Sequence, residues 1–296
     1  VIDNPVTFTP SPYGIFSVAI PATPEGNRHW QLGVTYQANC LLTNTTYDEC
    51  ISVTGTDSPV EPPTKEADTH FITRGSLPFT VYAEFSCSPV GNDEIKKLAS
   101  DTLRNRGSWQ VENAFFTGIA GGQTLVYPHL AHDSTVYDIN GVLLQSAVVT
   151  GSASDAATAL GFLEDQIADC YSGRGVIHMS RDVLPTFDAQ GLLRQTGGKL
   201  TTLGGNLVVV GDGYTGDAPD GTPAAAGQSW VYATGMIFEM HSEPIVTQMP
   251  GSFDRSNNTM THIAEQTFVL GWDCCHFGVP VILGIDTETA LTDAAY

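Results

Sequence analysis

The chain has 296 residues, with 12 Lys and Arg against 32 Asp and Glu, which gives a formal charge of −20 and a pI near 4.4. A sequence-reading nucleic-acid binder neutralises phosphates with clustered cations, and no basic stripe exists here to do so. Hydrophobic residues at 42% and charged ones at 15% supply a core and exclude an intrinsically disordered chain, and the length suggests about two domains or one domain with large extensions.

The opening VIDNPVTFTPSPYGIF carries acidic Asp3 and neither a basic leader nor a long apolar run, so no signal peptide or spanning helix is expected there, and no membrane partner. Residues 1–80 hold nine of the 17 prolines and show no helical periodicity, which predicts an extended segment of strands and loops. Such a segment closes poorly into its own globule, so its backbone groups are expected to pair elsewhere, with a neighbouring subunit as the natural candidate. Within it, Cys50 to Thr73 places two strand-like runs around a polar, proline-rich tip, a long hairpin or else a surface loop. Six cysteines (Cys40, Cys50, Cys87, Cys170, Cys274, Cys275) lack CxxC spacing in a chain too large to need stapling, so reduced thiols are expected.

The first strong helix follows the turn Pro89-Val90-Gly91, with Asn92 or Asp93 as cap and Ile95, Leu98, Ala99, Thr102 and Leu103 on one face. The pattern loses register near Phe115-Phe116, which predicts a helix over 92–112 with a kink near Gly107. A second helix starts at Ser152 or Ser154, has Asp155 in its first turn, buries Ala156, Leu160, Leu163 and Ile167, and runs to about Tyr171. Gly175–Met179 then reads as a buried strand, and Ser180 as the cap of a short helix over 182–190. Leu200–Leu203 and Asn206–Val210 read as strands broken by Gly204-Gly205, and Ser229–Met240 as a strand-rich run. The intervening GDGYTGDAPDGTPAAAG, residues 211–227, is expected to be a flexible loop with no apolar anchor. Thr259–Ile285 is dominated by strand formers, with breaks expected at Gly271 and at Gly278-Val279-Pro280.

Catalytic signatures are sparse. There is no G-x-S-x-G elbow and no G-x-x-x-x-G-K-[ST] loop. Gly211-Asp212-Gly213-Tyr214-Thr215-Gly216 has the G-x-G-x-x-G order after a strand, but Pro219 and Pro223 oppose the helix whose N-terminal amides would meet a pyrophosphate, leaving a plain glycine turn. His129, His132 and Asp133 could present two imidazoles and a carboxylate to one metal, as in a metal-dependent hydrolase, or be structural or solvent-facing residues. Cys274, Cys275 and His276 chelate one ion poorly from a strand, where neighbours face opposite ways, so buried small apolar cysteines are expected. Asp212, Asp217 and Asp220 miss the calcium-loop rhythm and its terminal Glu. No catalytic, cofactor-binding or metal residue is therefore assigned, and no cofactor is expected.

The order of pieces is more informative than any motif. An extended arm, a long hairpin, the helix ending in VENAFFTG, the block DAATALGFLEDQIADCYSGRGVIHMSRDVLPTFDAQGLL with GGKLTTLGGNLVVVGDGY, and HIAEQTFVLGWDCCHFGVPVIL near the end resemble the major capsid proteins of tailed bacteriophages. These share the Hong Kong ninety-seven fold with encapsulins. PYGIFSVA and Arg28-His29-Trp30 also look like the N-terminal part of capsid proteins from phages of actinobacteria.

The resemblance implies an α+β fold with residues 1–37 as N-terminal arm, 38–82 as extended E-loop, 83–150 as peripheral domain with spine helix 92–112, 151–250 as axial domain, and 251–296 as return strands of the peripheral domain and C-terminus. It implies a non-enzymatic structural protein of the virion that assembles in the host cytoplasm. Its chief partner would be itself, in pentamers and hexamers of an icosahedral head around double-stranded DNA held without sequence-specific contacts. Decoration, portal and scaffold proteins would be further partners, and an encapsulin-type compartment is the alternative in the same structural class. Some members cross-link an E-loop lysine to a neighbour's asparagine. Lys65 lies in that region, but no matching motif is found around a partner Asn or Glu, so the chemistry is not carried over.

Overall fold

Two β-sheets divide the apolar strands of the chain between them, and helices cover their faces. The computed structural model describes residues 11–22, 28–38, 72–88, 92–122, 124–131, 148–171 and 173–284. In chain order, a 3-10 turn at Ile15–Ser17 leads to β1 (Ile20–Pro21), and a second at Arg28–Leu32 to β2 (Val34–Ala38), β3 (Ile72–Ser76) and β4 (Phe79–Cys87). The helix α1 (Asn92–Thr117) precedes β5 (Ile119–Ala120), β6 (Thr124–Leu125) and β7 (Val148–Val149). Then come α2 (Ala156–Tyr171), β8 (Val176–Ser180), α3 (Leu184–Ala189), β9 (Leu193–Thr196), β10 (Lys199–Thr202) and β11 (Leu207–Gly211). Five strands finish the described chain: β12 (Gln228–Thr234), β13 (Ile237–His241), β14 (Ile245–Gln248), β15 (Met260–Trp272) and β16 (His276–Ile282).

The seven-stranded sheet runs β7-β16-β12-β8-β11-β10-β9. In the five-stranded sheet, β1-β13-β15-β14 form one path and β4 pairs with β15 along its other edge. The larger sheet is buried on both faces. Val176, Leu207 and Val209 pack toward α1, whereas Ile177, Met179, Val208 and Val210 pack toward α2 and α3. Period-2 alternation then appears as an unbroken apolar run, because both faces exclude water. Each fully buried aliphatic contributes about 1.5–3 kcal/mol.

The helix α1 runs five residues past the expected end. Phe115 and Phe116 are both fully buried, between the two sheets, so the loss of periodicity there reflects burial on more than one side, not an end of helix. The stop comes at Gly118, in the left-handed region at φ 73°, whose N–H donates to Ala114 O at 2.9 Å. Of the predicted face, Ile95, Ala99 and Leu103 are buried and Leu98 is exposed. In α2 all four predicted core residues are buried, but the cap is Asp155 itself. Its Oδ1 accepts from the N–H of Ala157 at 3.0 Å and of Thr158 at 3.2 Å.

Further expectations are corrected. Ser180 closes β8 and caps nothing: α3 starts after Val183, and the Ser180 hydroxyl instead meets Asp182 and Ser229. The C-terminal strands break at Asp273-Cys274-Cys275, not at Gly271 or Pro280. Gly271 stays inside β15 because Phe238 and Ser76 press on it where a Cβ would stand, at 2.6 and 2.4 Å. Pro280 stays inside β16 because β7 pairs only as far as Gly278, so no acceptor is left waiting for its missing N–H. Residues 211–227 do have an apolar anchor, since Tyr214 is buried against Phe116.

Two larger corrections concern the arm and the thiols. Residues 11–22 pack on their own body: Ile15 and Val18 are core residues, and β1 pairs in parallel with β13. β2 and β3 form an antiparallel ladder from Val34↔Ser76 to Ala38↔Ile72, anchored by Tyr36 OH donating to Trp272 O at 2.7 Å. The described parts of the first 80 residues therefore pair part of their backbone within the chain, β1 on the edge of β13 and β2 with β3, while β2 and β3 each keep an outer edge unpaired among the described strands. The predicted hairpin residues from Cys50 to Phe71 lie outside the described residues. Cys170 and Cys275 are joined in a disulfide across 105 residues, Cys274 is also disulfide-bonded, and Cys87 is free and exposed. Distance in sequence hid a proximity that the fold creates.

If Asp155 is the cap, Asp155→Ala lowers the thermal midpoint by a few degrees while Ser154→Ala leaves it unchanged, the reverse of what a Ser154 cap would give. Paired thermal melts followed by circular dichroism decide between them.

Candidate functional site

Glu112 sits on the face of α1 that turns away from solvent, only 2% exposed, and its carboxylate draws three segments together. Oε1 accepts from the N–H of Ile15 at 2.9 Å. Oε2 accepts from the N–H of Asp212 at 2.7 Å and of Gly213 at 3.1 Å. Asn113 adds an Nδ2–H donated to Gly213 O at 3.1 Å. Burial pushes the Glu112 carboxyl above its usual range, and the three amide donors pull it back toward the charged form. The G-x-G-x-x-G turn thus does present backbone amides to an anion, as that motif does, but the anion is the protein's own carboxylate. Two glycines make the approach possible. A Cβ on Gly213 would lie 2.4 Å from Trp109 O and 2.5 Å from Asn113 N, and one on Gly14 would lie 2.5 Å from Glu112 Oε1.

Beside this junction lies a buried polar chain. Thr234 donates its hydroxyl proton to Gly235 O at 2.9 Å, so Thr234 Oγ1 accepts from His178 Nε2–H at 2.9 Å. His178 Nδ1 is then left to accept from Tyr214 OH at 3.1 Å, which assigns the neutral Nε2–H tautomer. Burial alone lowers the His178 pKa to about 3, and burial raises Tyr214 well above its ordinary value. Half-buried His276 is likewise lowered to about 3, chiefly by desolvation, with its ring 4.9 Å from that of Trp272. Both hydroxyl and imidazole are thus held in the wrong protonation range for acid–base work near neutrality.

The other sequence candidates that lie among the described residues do not converge on one site. His129 Nδ1 bonds Val126 O at 2.6 Å, while His132 and Asp133 lie outside the described residues, as does Lys65. Asp212 pairs with Arg181, Asp217 accepts from the Thr215 hydroxyl, and Asp220 accepts from the N–H and hydroxyl of Thr222, so the three serve separate turns. Among the described residues no group of three His, Cys, Asp or Glu side chains is placed to hold a metal. Among the described residues a surface concavity runs between α1, β4 and β5, with a volume of about 420 Å³ and half-exposed Tyr82, Trp109 and Ile119 on its walls. β4 pairs with β15 along one edge only among the described strands.

Sequence reasoning passed over Glu112 altogether. The available signal was an acidic residue amid Val111, Ala114, Phe115 and Phe116, on the buried side of a helix.

Comparison with solved structures gives the class. The chain is similar to the capsid of an empty GTA particle at TM-score 0.54 and 12% identity, covering 95% of this chain and 94% of that one. The capsid of a native GTA particle gives 0.54 at 10% identity, covering 95% and 93%. A structure from Mycobacterium phage Ogopogo gives 0.51 at 11% identity, covering 95% and 94%. No protein-family model and no curated protein matches. The chain therefore has the α+β capsid fold of tailed phages that its element order implied.

Glu112→Ala strands three inward-facing amides and is expected to cost about 3–5 kcal/mol in a urea melt, with Gly213→Ala comparably damaging. A cost below about 1 kcal/mol would deny the junction its importance. For His178, a folded-state pKa depressed below 6.5 means that the unfolded chain takes up the proton first. Its contribution is complete above pH 6.5 and declines as the pH falls toward 3, by about 2 kcal/mol at pH 5. Glu112, raised above 4.5, acts in the opposite sense just above that value. NMR titration isolates the histidine, whose ring signals should not move between pH 8 and 5 while the chain stays folded.

Proposed function

We propose that this chain is the major capsid protein of a tailed phage, a structural and non-enzymatic subunit that assembles into pentamers and hexamers of an icosahedral head around double-stranded DNA. The observation that carries the reading is the shared fold over nearly the whole length, at TM-score 0.54 with coverage of 95% and 94%. The surface supports it. A shell subunit makes heterologous contacts with sister copies, which favours unpaired strand edges and exposed apolar side chains. β4 offers such an edge, beside the groove walled by Tyr82, Trp109 and Ile119.

In this reading residues 1–37 form the N-terminal arm and 38–82 the E-loop, α1 with the five-stranded sheet forms the peripheral domain, so that β13 and β14 join it, and α2 and α3 with the seven-stranded sheet form the axial domain, so that β16 joins that one. The register pair Ala38↔Ile72 sets the base of the E-loop, from which residues 39–71 could extend at most about 50 Å out and back. The −20 charge keeps packaged DNA from adhering to its container, since like charges repel over about 8 Å at physiological salt. Assembly would take place in the host cytoplasm, and decoration, portal and scaffold proteins would complete the particle.

The test is negative-stain microscopy of the purified chain, with nucleic-acid analysis of any particles. Closed shells or rings of five and six, holding nuclease-protected double-stranded DNA when made during infection, are expected. A stable monomer across the micromolar range would overturn the reading, and shells that enclose protein cargo without DNA would replace it with an encapsulin-type compartment. On a denaturing gel of assembled particles, monomer-sized bands alone are expected, because no matching motif is found around an Asn or Glu that could partner Lys65.

A further inference from the structure

Two strand-to-strand passages carry the backbone between the sheets, and they lie side by side. One is Gly235-Met236, between β12 of the larger sheet and β13 of the smaller. The other is Asp273–Cys275, between β15 and β16. Gly235 N–H donates to Cys274 O at 2.5 Å, and Asp273 N–H to Met236 O at 3.0 Å. The contact tolerates no side chain at Gly235, where a Cβ would stand 2.6 Å from Cys274 O. Cys275 takes the left-handed conformation at φ 68°, so the chain reverses within a residue or two. A pair of short, adjacent, hydrogen-bonded connections between two packed sheets is the geometry of a hinge.

The last turn of α2 is fastened to this hinge. Cys170 is bonded to Cys275, and Tyr171 OH donates to Asp273 Oδ2 at 2.9 Å. α2 packs on β16 and β12 and so moves with the larger sheet, whereas Asp273 follows directly from β15 of the smaller. Cys275 is 4% exposed and Cys170 is partly exposed, so a small-molecule thiol reaches the bond from the Cys170 side.

We propose that the Cys170–Cys275 disulfide is a redox lock on the hinge between the two sheets. In its closing step the two thiols reduce one small-molecule disulfide. The protein S–S bond forms, the small-molecule S–S bond breaks, and two small-molecule thiols leave with the two protons. A pair of small-molecule thiols reverses it. The chain is pliant at 235–236 and 273–275 in a reducing compartment and stiff there in an oxidising one. This concerns the folded chain and does not depend on its forming a shell.

The test combines disulfide mapping with amide hydrogen exchange on the full-length protein. Peptides carrying Cys170 and Cys275 should be linked before treatment with a thiol reductant and separate after it. Amides of residues 235–237 and 272–276 should exchange at least about tenfold faster after reduction, while those of β8 and β11 keep their rates. Cys170→Ser should show the fast exchange without reductant. Quantitative alkylation of Cys170 in the unreduced chain would overturn the proposal. So would unchanged hinge exchange on reduction, a uniform rise across the molecule, or slow hinge exchange in folded Cys170→Ser, which would transfer the effect to the disulfide of Cys274. Should that variant fail to fold, partial reduction of the folded wild type that mapping shows to open Cys170–Cys275 while the Cys274 disulfide stays closed decides in its place, fast hinge exchange supporting the proposal and slow exchange overturning it.

Discussion

A carboxylate with no access to water holds the molecule in register. Glu112 receives amides from two segments about a hundred residues away on either side of it, and both approach α1 closely only because they are glycine-containing turns. Taking a carboxylate out of water costs several kcal/mol, and hydrogen bonds to a charged acceptor return about 1.5–3 kcal/mol each, so the net contribution is modest. The geometric effect is larger. Any sliding of α1 against the 211–213 turn, or of the 11–18 segment against α1, leaves a buried charge or a buried amide unpaired. Alternative packings of the same apolar surfaces are thereby excluded, which apolar contacts alone would not achieve.

From that junction the arrangement of the sheets follows. With the 211–213 turn fixed on α1, β11 is fixed too, and with it the neighbouring β8, because the two pair in parallel from Val176↔Leu207 to Ser180↔Gly211. Tyr214 leaves the turn and enters the core beside Phe116, where its hydroxyl completes the His178–Thr234 chain one strand further on. The position of α1 therefore propagates across β11 and β8 to β12, whose end is the first passage to the smaller sheet. The Tyr214, His178 and Thr234 groups of this chain are structural: each has a hydrogen-bond partner, and burial keeps Tyr214 and His178 neutral.

Much of this was legible in the residues. The α2 face at Ala156, Leu160, Leu163 and Ile167 could be read because its burial is one-sided and obeys a 3.6-residue period. The two-faced environments were harder. Phe115 and Phe116 look like the end of a helix because they are buried between two sheets, and Gly271 and Pro280 look like strand breaks because the partners that tolerate them are distant in sequence. The Cys170–Cys275 bond and the Glu112 junction are equally nonlocal, and a spacing argument contains no information about either. The capsid fold was reached through the order of elements, which survives when individual boundaries fail.

Residues 11–22 and 28–38 pack on the body of their own chain. An arm that is wholly unsatisfied within its own chain would be ordered only on meeting a neighbour, and association would bear the entropy of fixing it. Here that cost is largely met within the subunit. Ile15 and Val18 are in the core, β1 is paired, and Tyr36 lies edge-on to Phe238 at 4.7 Å with its hydroxyl on Trp272. The β2–β3 ladder is consequently a rooted stem with a fixed direction. A rooted extension loses less freedom on docking than a free one of the same length, so weak contacts of small area can suffice to close an assembly of many copies. On the body, the groove between α1 and β4 and the edge of β4 that is unpaired among the described strands present a surface whose shape the Glu112 junction helps to hold.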